Sequence, residues 1–294
     1  MGAVARMAAL EARVRGRVVA VIPRPEAASP SCLPYWRDHY CALPNALLRS
    51  ATFAAIGKGR RIMLSRALVE SQTGIDVLYD GEQLDQSDLD VWIAQLQLLR
   101  GQPLNQGLET SFYALLRALD ISDTGPNRSS LRRRLMRLSS GELSVRTPSS
   151  MYVGKLAETE LLDCSRHSVL LRLSPAITTI FTQNQYTLIN MMVRRALRGS
   201  PLAQWLHGYY STHAAPFPVG IEFLYRLSGS GTTSKGKFLQ LLRRALDRLA
   251  SASAAHDEFF SYQIDGDRVV VSKRPSKSQA RHLADRGKKY RCSG

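Results

Sequence analysis

Two helix-length segments, 127–138 and 234–250, constrain this chain more than any other feature. Each carries an apolar stripe on one side and Lys or Arg on another. In 234–250, Phe238, Leu242, Ala245, Leu246 and Leu249 share one face, while Lys237, Gln240, Arg244 and Arg248 form a separate stripe. In 127–138, Leu131, Leu135 and Leu138 make the apolar stripe. Ser129, Ser130, Arg133 and Arg137 lie opposite, flanked by Arg132 and Arg134. Five arginines fall between Arg128 and Arg137 with no acid among them. A helix of this kind docks its apolar side on a core and turns its cations outward.

The surroundings of the two segments repeat as well. Helical spacing of apolar residues predicts helices over 89–100, 110–119 and 127–138 in the first half, with strands at 150–153, 160–162 and 168–173. The second half opens with helical spacing over 186–198, followed by helices over 202–212, 221–227 and 234–250. Strands at 259–264 and 268–272 flank the tight turn Asp265-Gly266-Asp267. Two helices, the second basic, and then a hairpin is the order of a winged helix-turn-helix. The expectation is therefore an α+β chain of tandem winged-helix domains with short β-hairpin wings. The boundaries read as an arm or linker over 1–34, a first domain over 35–173, a second over 174–273 and a basic tail over 274–294. Four prolines between Pro23 and Pro34 disfavour regular structure in the arm. In the tail, Arg274, Lys277, Arg281, Arg286, Lys288, Lys289 and Arg291 face one acid, Asp285, so it reads as a disordered, phosphate-touching extension.

Composition decides between partners. Lys and Arg number 40 against 24 Asp and Glu, a formal net charge of +16, which favours a polyanion and above all nucleic acid. No stretch approaches the roughly 18 uncharged apolar residues of a membrane-spanning helix. Arg6, Glu11, Arg13, Arg15 and Arg17 interrupt the only apolar window near the N-terminus, so no signal peptide is expected and the cytoplasm is the default location. Cys32, Cys41, Cys164 and Cys292 match no metal-ligand spacing, and neither a metal nor a cofactor is expected. Aromatic residues make up only 7% of the chain, too few for a base-stacking platform of the single-strand-binding kind.

In a helix-turn-helix the first turns of the second helix contact base edges. Thr233, Ser234, Lys235 and Lys237 are thus the candidate readers, with Gln240 beyond them and Arg244 and Arg248 as phosphate contacts. On the first basic helix the candidates are Arg128, Ser129, Arg132, Arg133 and Arg137. Asp76, Asp80, Glu82, Asp85, Asp88 and Asp90 occupy a segment without Lys or Arg. It reads as a solvated hairpin tip with helix-start acids, or as a protein-contact surface facing away from phosphates. Three other motifs are weaker. Residues 231–237 nearly match a phosphate-binding loop, but Phe238 stands where a magnesium-binding hydroxyl is needed. Tyr209 and Tyr210, between His207 and His213, lack a metal-ligand cluster and read as core. Gln95-Leu96-Gln97-Leu98-Leu99 resembles a clamp-binding peptide, but lies within an amphipathic helix. No catalytic role is expected.

Several segments, in order, resemble a known family. They are LPNALLRSATF at 43–53, IDVLYDGEQLDQSDLDVWIAQLQLLR at 75–100, TSFYALLRALD at 110–120, LRRRLMRL at 131–138 and LAQWLHGYYSTHAAPFPV at 202–219. Together they make the chain, over about 43–273, similar to TrfA-type plasmid replication initiators. The resemblance implies two winged-helix domains that bind direct repeats (iterons) in double-stranded origin DNA and help open adjacent A·T-rich DNA. It also implies recruitment of host replication proteins such as the replicative helicase and initiator, and a homodimer in equilibrium with a DNA-binding monomer. By analogy 234–250 would read the iteron and 127–138 an adjacent stretch. Such proteins can carry a clamp-binding Leu-Ser-Leu-Phe peptide upstream. Here Ser31-Cys32-Leu33-Pro34-Tyr35-Trp36 stands where that region would end, and clamp recruitment is not carried over. The rival with the same fold is a transcriptional repressor that binds a palindromic operator as a dimer.

Overall fold

Helix starts along the chain are written in side-chain caps. Asp85, Ser111, Thr124, Asn190 and Ser234 each accept a backbone N–H from the first turn of the helix that follows, satisfying one of its orphan donors. The computed structural model that shows these contacts describes residues 32–291, apart from 58, 60, 105, 164–167 and 183–184. Most of the arm over 1–34, and Cys164 and Cys292, lie outside the described residues.

The first half opens with β1 (Tyr40–Pro44), the single turn α1 (Asn45–Leu48) and β2 (Phe53–Ala54). Strands β3 (Met63–Val69) and β4 (Asp76–Glu82) follow, then β5 (Leu84–Asp85), which runs parallel to β2. Helix α2 (Gln86–Leu99) is buried on nearly every side: Leu89, Trp92, Ile93, Leu96 and Leu99 all lie in the core. Trp92 stacks on Phe53 and donates its Nε1–H to the carbonyl of Leu156 at 2.9 Å. Next come β6 (Leu108–Ser111), α3 (Phe112–Ala118) and α4 (Gly125–Ser140). Strands β7 (Glu142–Arg146), β8 (Met151–Gly154), β9 (Glu158–Asp163) and β10 (Ser168–Arg172), a 3₁₀ turn (Pro175–Phe181) and β11 (Tyr186–Asn190) complete this half. The second half is α5 (Met191–Ala196), α6 (Pro201–Ser211), β12 (Val219–Gly220), α7 (Ile221–Leu227), α8 (Lys235–Ala254), β13 (Phe260–Asp265), β14 (Arg268–Lys273) and α9 (Lys277–Arg291).

The two halves share one topology. The first contains α2, β6, α3, α4, β9 and β10, with an antiparallel sheet in the order β6-β10-β9. The second contains α6, β12, α7, α8, β13 and β14, with an antiparallel sheet in the order β12-β14-β13. In each repeat the strand before the second helix pairs with the last strand, and the last two strands form a hairpin. Three further pieces belong to the first half alone: the four-stranded sheet β3-β4-β7-β8, the antiparallel pair β1-β11 and the parallel pair β2-β5.

Three expectations are corrected, and the strands of the first half are placed. The segment 186–198 is not one helix. Tyr186-Thr187-Leu188-Ile189 is aromatic and β-branched, pairs with β1 as a strand, and hands over to α5 where Asn190 caps it. The strands expected at 160–162 and 168–173 are present as the hairpin β9-β10, and the one expected at 150–153 is β8, which pairs with β7 in the four-stranded sheet. The cores divide at Met191 and Val193 rather than at 173–175, because Ile177, Ile180, Phe181 and Ile189 pack into the first one. The basic tail is helical over Lys277–Arg291. Ser276 accepts the backbone N–H of Gln279, and the Gln279 amide donates to the carbonyl of Ser211 at the end of α6. Among the described residues no helix is long and apolar enough to cross a membrane.

Helix α6 carries a buried aromatic ladder. Trp205 stacks on Tyr209 at 5.1 Å, and Tyr210 meets Phe260 edge-on. His207 is buried beside them with neither ring nitrogen hydrogen-bonded to a described residue. Burial first, and then Arg194 and Lys273, hold His207 down to about 3, while burial and Arg49 hold His213 down to about 4. Both are neutral when folded, but the unfolded chain protonates them as pH falls below about 6.5. The unfolded state then binds more protons, so stability drops on acidification from about 6.5 towards 4. The expected loss is on the order of 1–2 kcal/mol per histidine by about pH 5. Urea unfolding of wild type and His207→Gln at pH 7 and pH 5 checks this. An equal acid loss in both proteins would exclude His207 as its source.

Candidate nucleic-acid interface

The third helix of each repeat seats its apolar face on a core and leaves the other face in solvent. On α8, Phe238, Leu242, Ala245, Leu246 and Leu249 are buried. Lys237, Gln240, Leu241 and Arg244 are exposed at positions i, i+3, i+4 and i+7, one continuous stripe. On α4, Leu131, Leu135 and Leu138 are buried, and Ser129, Arg132, Arg133 and Met136 form the stripe with the same spacing. Each stripe includes one apolar side chain, Leu241 at 45% exposure and Met136 at 47%. Sequence reading missed both. The signal for them was present: neither falls on the apolar face of its own helix.

Not every candidate lies on a stripe. Thr233 and Ser234 are exposed at the start of α8, and the Ser234 hydroxyl accepts the backbone N–H of Lys237 at 3.3 Å. Lys235 points to Glu222 on α7, 3.0 Å away, whereas Lys237 pairs with no described acid. Arg128 sits in the first turn of α4, where both carboxylate oxygens of Asp123 hold its guanidinium, at 2.5 and 2.6 Å. Arg132, Arg133, Gln240 and Arg244 are exposed without a described partner.

Two candidates are corrected. Arg248 is turned away from the α8 stripe: its guanidinium donates to the carbonyls of Ala196 and Arg198, at 3.2 and 2.7 Å, and closes the end of α5. Arg137 is 9% exposed and faces inward. Its Nη1 meets the Asp88 carboxylate at 2.6 Å and its Nε lies 3.1 Å from Glu82. Arg137 occupies the flank of α4 rather than the centre of its outer face, and the acidic start of α2 packs against that flank. Asp88 is fully buried there. Burial and the neighbouring Asp85 push its carboxyl up to about 6, while Arg137 and Arg61 favour the charged form.

The acidic segment therefore does more than solvate a hairpin tip. Asp85 and Asp88 form a capping box at the start of α2, with Arg61 and Arg137 against them. Asp90 receives the buried Arg194 of α5 at 2.7 Å and the Gln204 amide at 3.1 Å, joining the two repeats. Asp76, Asp80 and Glu142 stay exposed on the four-stranded sheet. The hairpin tip of the second repeat is also acidic, with Asp265 and Asp267 on either side of Gly266, whose φ is +56°. Like-charge repulsion keeps such a tip off phosphates. The corresponding tip of the first repeat lies outside the described residues.

The weaker motifs resolve in the same way. Residues 231–237 lead from helix α7, not from a strand, into α8. Gln95, Leu96 and Leu99 are buried within α2, and Tyr209 and Tyr210 lie within the second core. Among the described residues, no three His, Cys, Asp or Glu side chains gather in a metal-binding group.

Comparison with known proteins adds three findings. The family model described as TrfA protein matches residues 29–265. The plasmid replication initiator protein TrfA of Escherichia coli is 27% identical over 224 residues, which cover 73% of this chain. The chain spans only 58% of the length of that relative. Among solved structures, a crystal structure of selenomethionine derivatives of domains 2 and 3 of RctB aligns with a TM-score of 0.52 and 14% identity, covering 79% of this chain and 96% of that one. At that identity the likeness is one of fold. A second crystal structure of RctB domains 2–3 aligns with a TM-score of 0.47 and 14% identity, covering 77% and 96%.

Proposed function

The chain belongs to the TrfA protein family, and on that premise we propose that it is a plasmid replication initiator that binds origin DNA through two winged-helix domains. The observation that carries this reading is the matched pair of outward stripes, Ser129-Arg132-Arg133-Met136 and Lys237-Gln240-Leu241-Arg244, on the third helices of two repeats of one topology. A third helix laid in the major groove brings its first turns to base edges and its later cations to phosphates. Lys237 and Gln240 would donate to base edges, and Arg132, Arg133 and Arg244 would neutralise phosphates and release counterions. Leu241 and Met136 suit thymine methyl groups.

The work is binding and deformation of double-stranded DNA, with no bond-making step by the protein. Iterons are the proposed target, opening of adjacent A·T-rich steps the proposed consequence of bending. Recruitment of the replicative helicase and the host initiator, and exchange between homodimer and monomer in the bacterial cytoplasm, complete the proposal.

The test is binding to a labelled duplex of direct repeats from upstream of the gene, against a shuffled duplex, over a salt series. Discrimination of roughly a thousand-fold or more at physiological salt supports the reading. Permanganate reactivity next to the repeats supports the opening step. Equal binding to both duplexes, lost steeply with salt, would count against sequence reading. Preference for a palindrome, without opening, would favour the repressor instead.

A further inference from the structure

In each repeat a turn joins the second helix to the third, and its shape sets where the third helix points. Here each turn is held by a segment from the opposite half of the chain. In the first, α3 ends at Ala118, and Asp120 follows with φ at +56°. The free carbonyls at this end are taken by Arg195 of α5 and by Arg198, two residues beyond that helix. Arg195 donates to Ala118 at 3.2 Å, and Arg198 donates to Leu119 and, at 3.0 Å, to Asp120. Cationic donors suit a helix C-terminus, where orphan carbonyls and the negative end of the dipole coincide.

In the second repeat, α7 ends at Leu227, and the carbonyl of Ser228 accepts the backbone N–H of Ala55 at 2.7 Å. Gly229 follows with φ at +60°, and a Cβ there would come within 2.9 Å of the Ala54 methyl and 3.0 Å of that of Ala51. The segment from Ala51 to Ala55 belongs to the first half of the chain, yet Ala55 lies in the second core. Arg248 of α8 ties the third helix of the second repeat to the first hold by donating to the carbonyl of Arg198, the residue whose side chain grips the first turn.

We propose that this reciprocal hold makes α4 and α8 one reading unit with a fixed separation, and that Arg195 and Arg198 are positioning residues for DNA recognition. The inference rests on the reading of α4 and α8 as DNA-contacting helices. Two readers free to move would accept half-sites at several separations. Two readers locked through their own turns accept one.

The test is enrichment of bound duplexes from a pool with a randomised central stretch, using the full chain. Wild type is expected to select two half-motifs at one separation. The Arg195→Ala/Arg198→Ala variant is expected to select the same half-motifs at several separations, and to bind the wild-type selection roughly tenfold more weakly. Both side chains are exposed, so this variant should fold, and a thermal melt checks that. The Arg195→Lys/Arg198→Lys variant retains donors and should narrow the separations again. A folded alanine variant that keeps the single separation would overturn the proposal, as would a wild type that selects several separations or only one half-motif. No enriched motif with wild type would instead overturn the DNA reading beneath it.

Discussion

Arg137→Met should lower the stability of this protein by about 3–5 kcal/mol while leaving the DNA affinity of the folded molecule nearly unchanged. The expectation inverts what the position suggests in sequence, where Arg137 is one of five arginines on a basic helix. In the structure its guanidinium is the direct partner of the fully buried Asp88 carboxylate. Removing it leaves that buried charge with a single cation, Arg61, whose Nη1 stands 3.5 Å from Asp88. Most of the penalty comes from the stranded carboxylate rather than from the lost contact. The double variant Arg137→Met/Asp88→Asn should therefore recover much of the loss, because asparagine is uncharged and keeps a side-chain oxygen at the capping position. Urea unfolding of the wild type and both variants measures this. A stable Arg137→Met protein with strongly weakened DNA binding would return Arg137 to the interface.

The largest effect on binding is expected from the exposed cations of the two stripes. Neutralising Arg132, Arg133, Lys237 and Arg244 together, each to Gln, removes three phosphate neutralisations and one base-edge cation. Each phosphate contact contributes about 0.9 to the slope of log K against log salt, so the slope should become shallower by about 2.7. At about 0.1 M salt the lost phosphate contacts alone correspond to an affinity loss of roughly five-hundred-fold. Stability should hardly change, since the four side chains are exposed and pair with no described acid. Within the set, Lys237→Gln alone should weaken preference between sequences more than Arg133→Gln does, because it lies in the first turn of α8. Lys235→Gln should do less than Lys237→Gln, since Lys235 already neutralises Glu222. Fluorescence anisotropy with a repeat-bearing and a shuffled duplex separates slope from discrimination. An unchanged slope in the fourfold variant would remove both stripes from the interface.

These two results draw opposite lines through one run of arginines. Periodicity placed Leu131, Leu135 and Leu138 inward and Arg133 outward, and the structure agrees. It could not tell the flank from the outer face. Arg137 sits about a third of a turn from the apolar stripe, and what packs on that flank is decided 49 residues earlier, at Asp88. The same blindness affected Arg248, whose carbonyl partners lie 50 and 52 residues away. The segment 186–190 shows a further limit. Its apolar spacing fits a helix, but its β-branched and aromatic residues find a strand partner at Tyr40–Pro44, far back in the chain.

What the sequence determined by itself was local and periodic. The order of helices in both repeats, the faces they bury, the Ser234 cap, the Asp-Gly hairpin and the cationic excess all follow from spacing and side-chain type over a few residues. Tertiary structure alone decided which charges are exposed and which are internal. It set Asp88 on Arg137, Asp90 on Arg194, and the turn before each third helix in the grip of the opposite half of the chain. The physical reason is that an ion pair or a carbonyl–guanidinium contact across tens of residues imposes no period on the chain. It depends on where packed elements bring their flanks, which is settled only when both cores have formed.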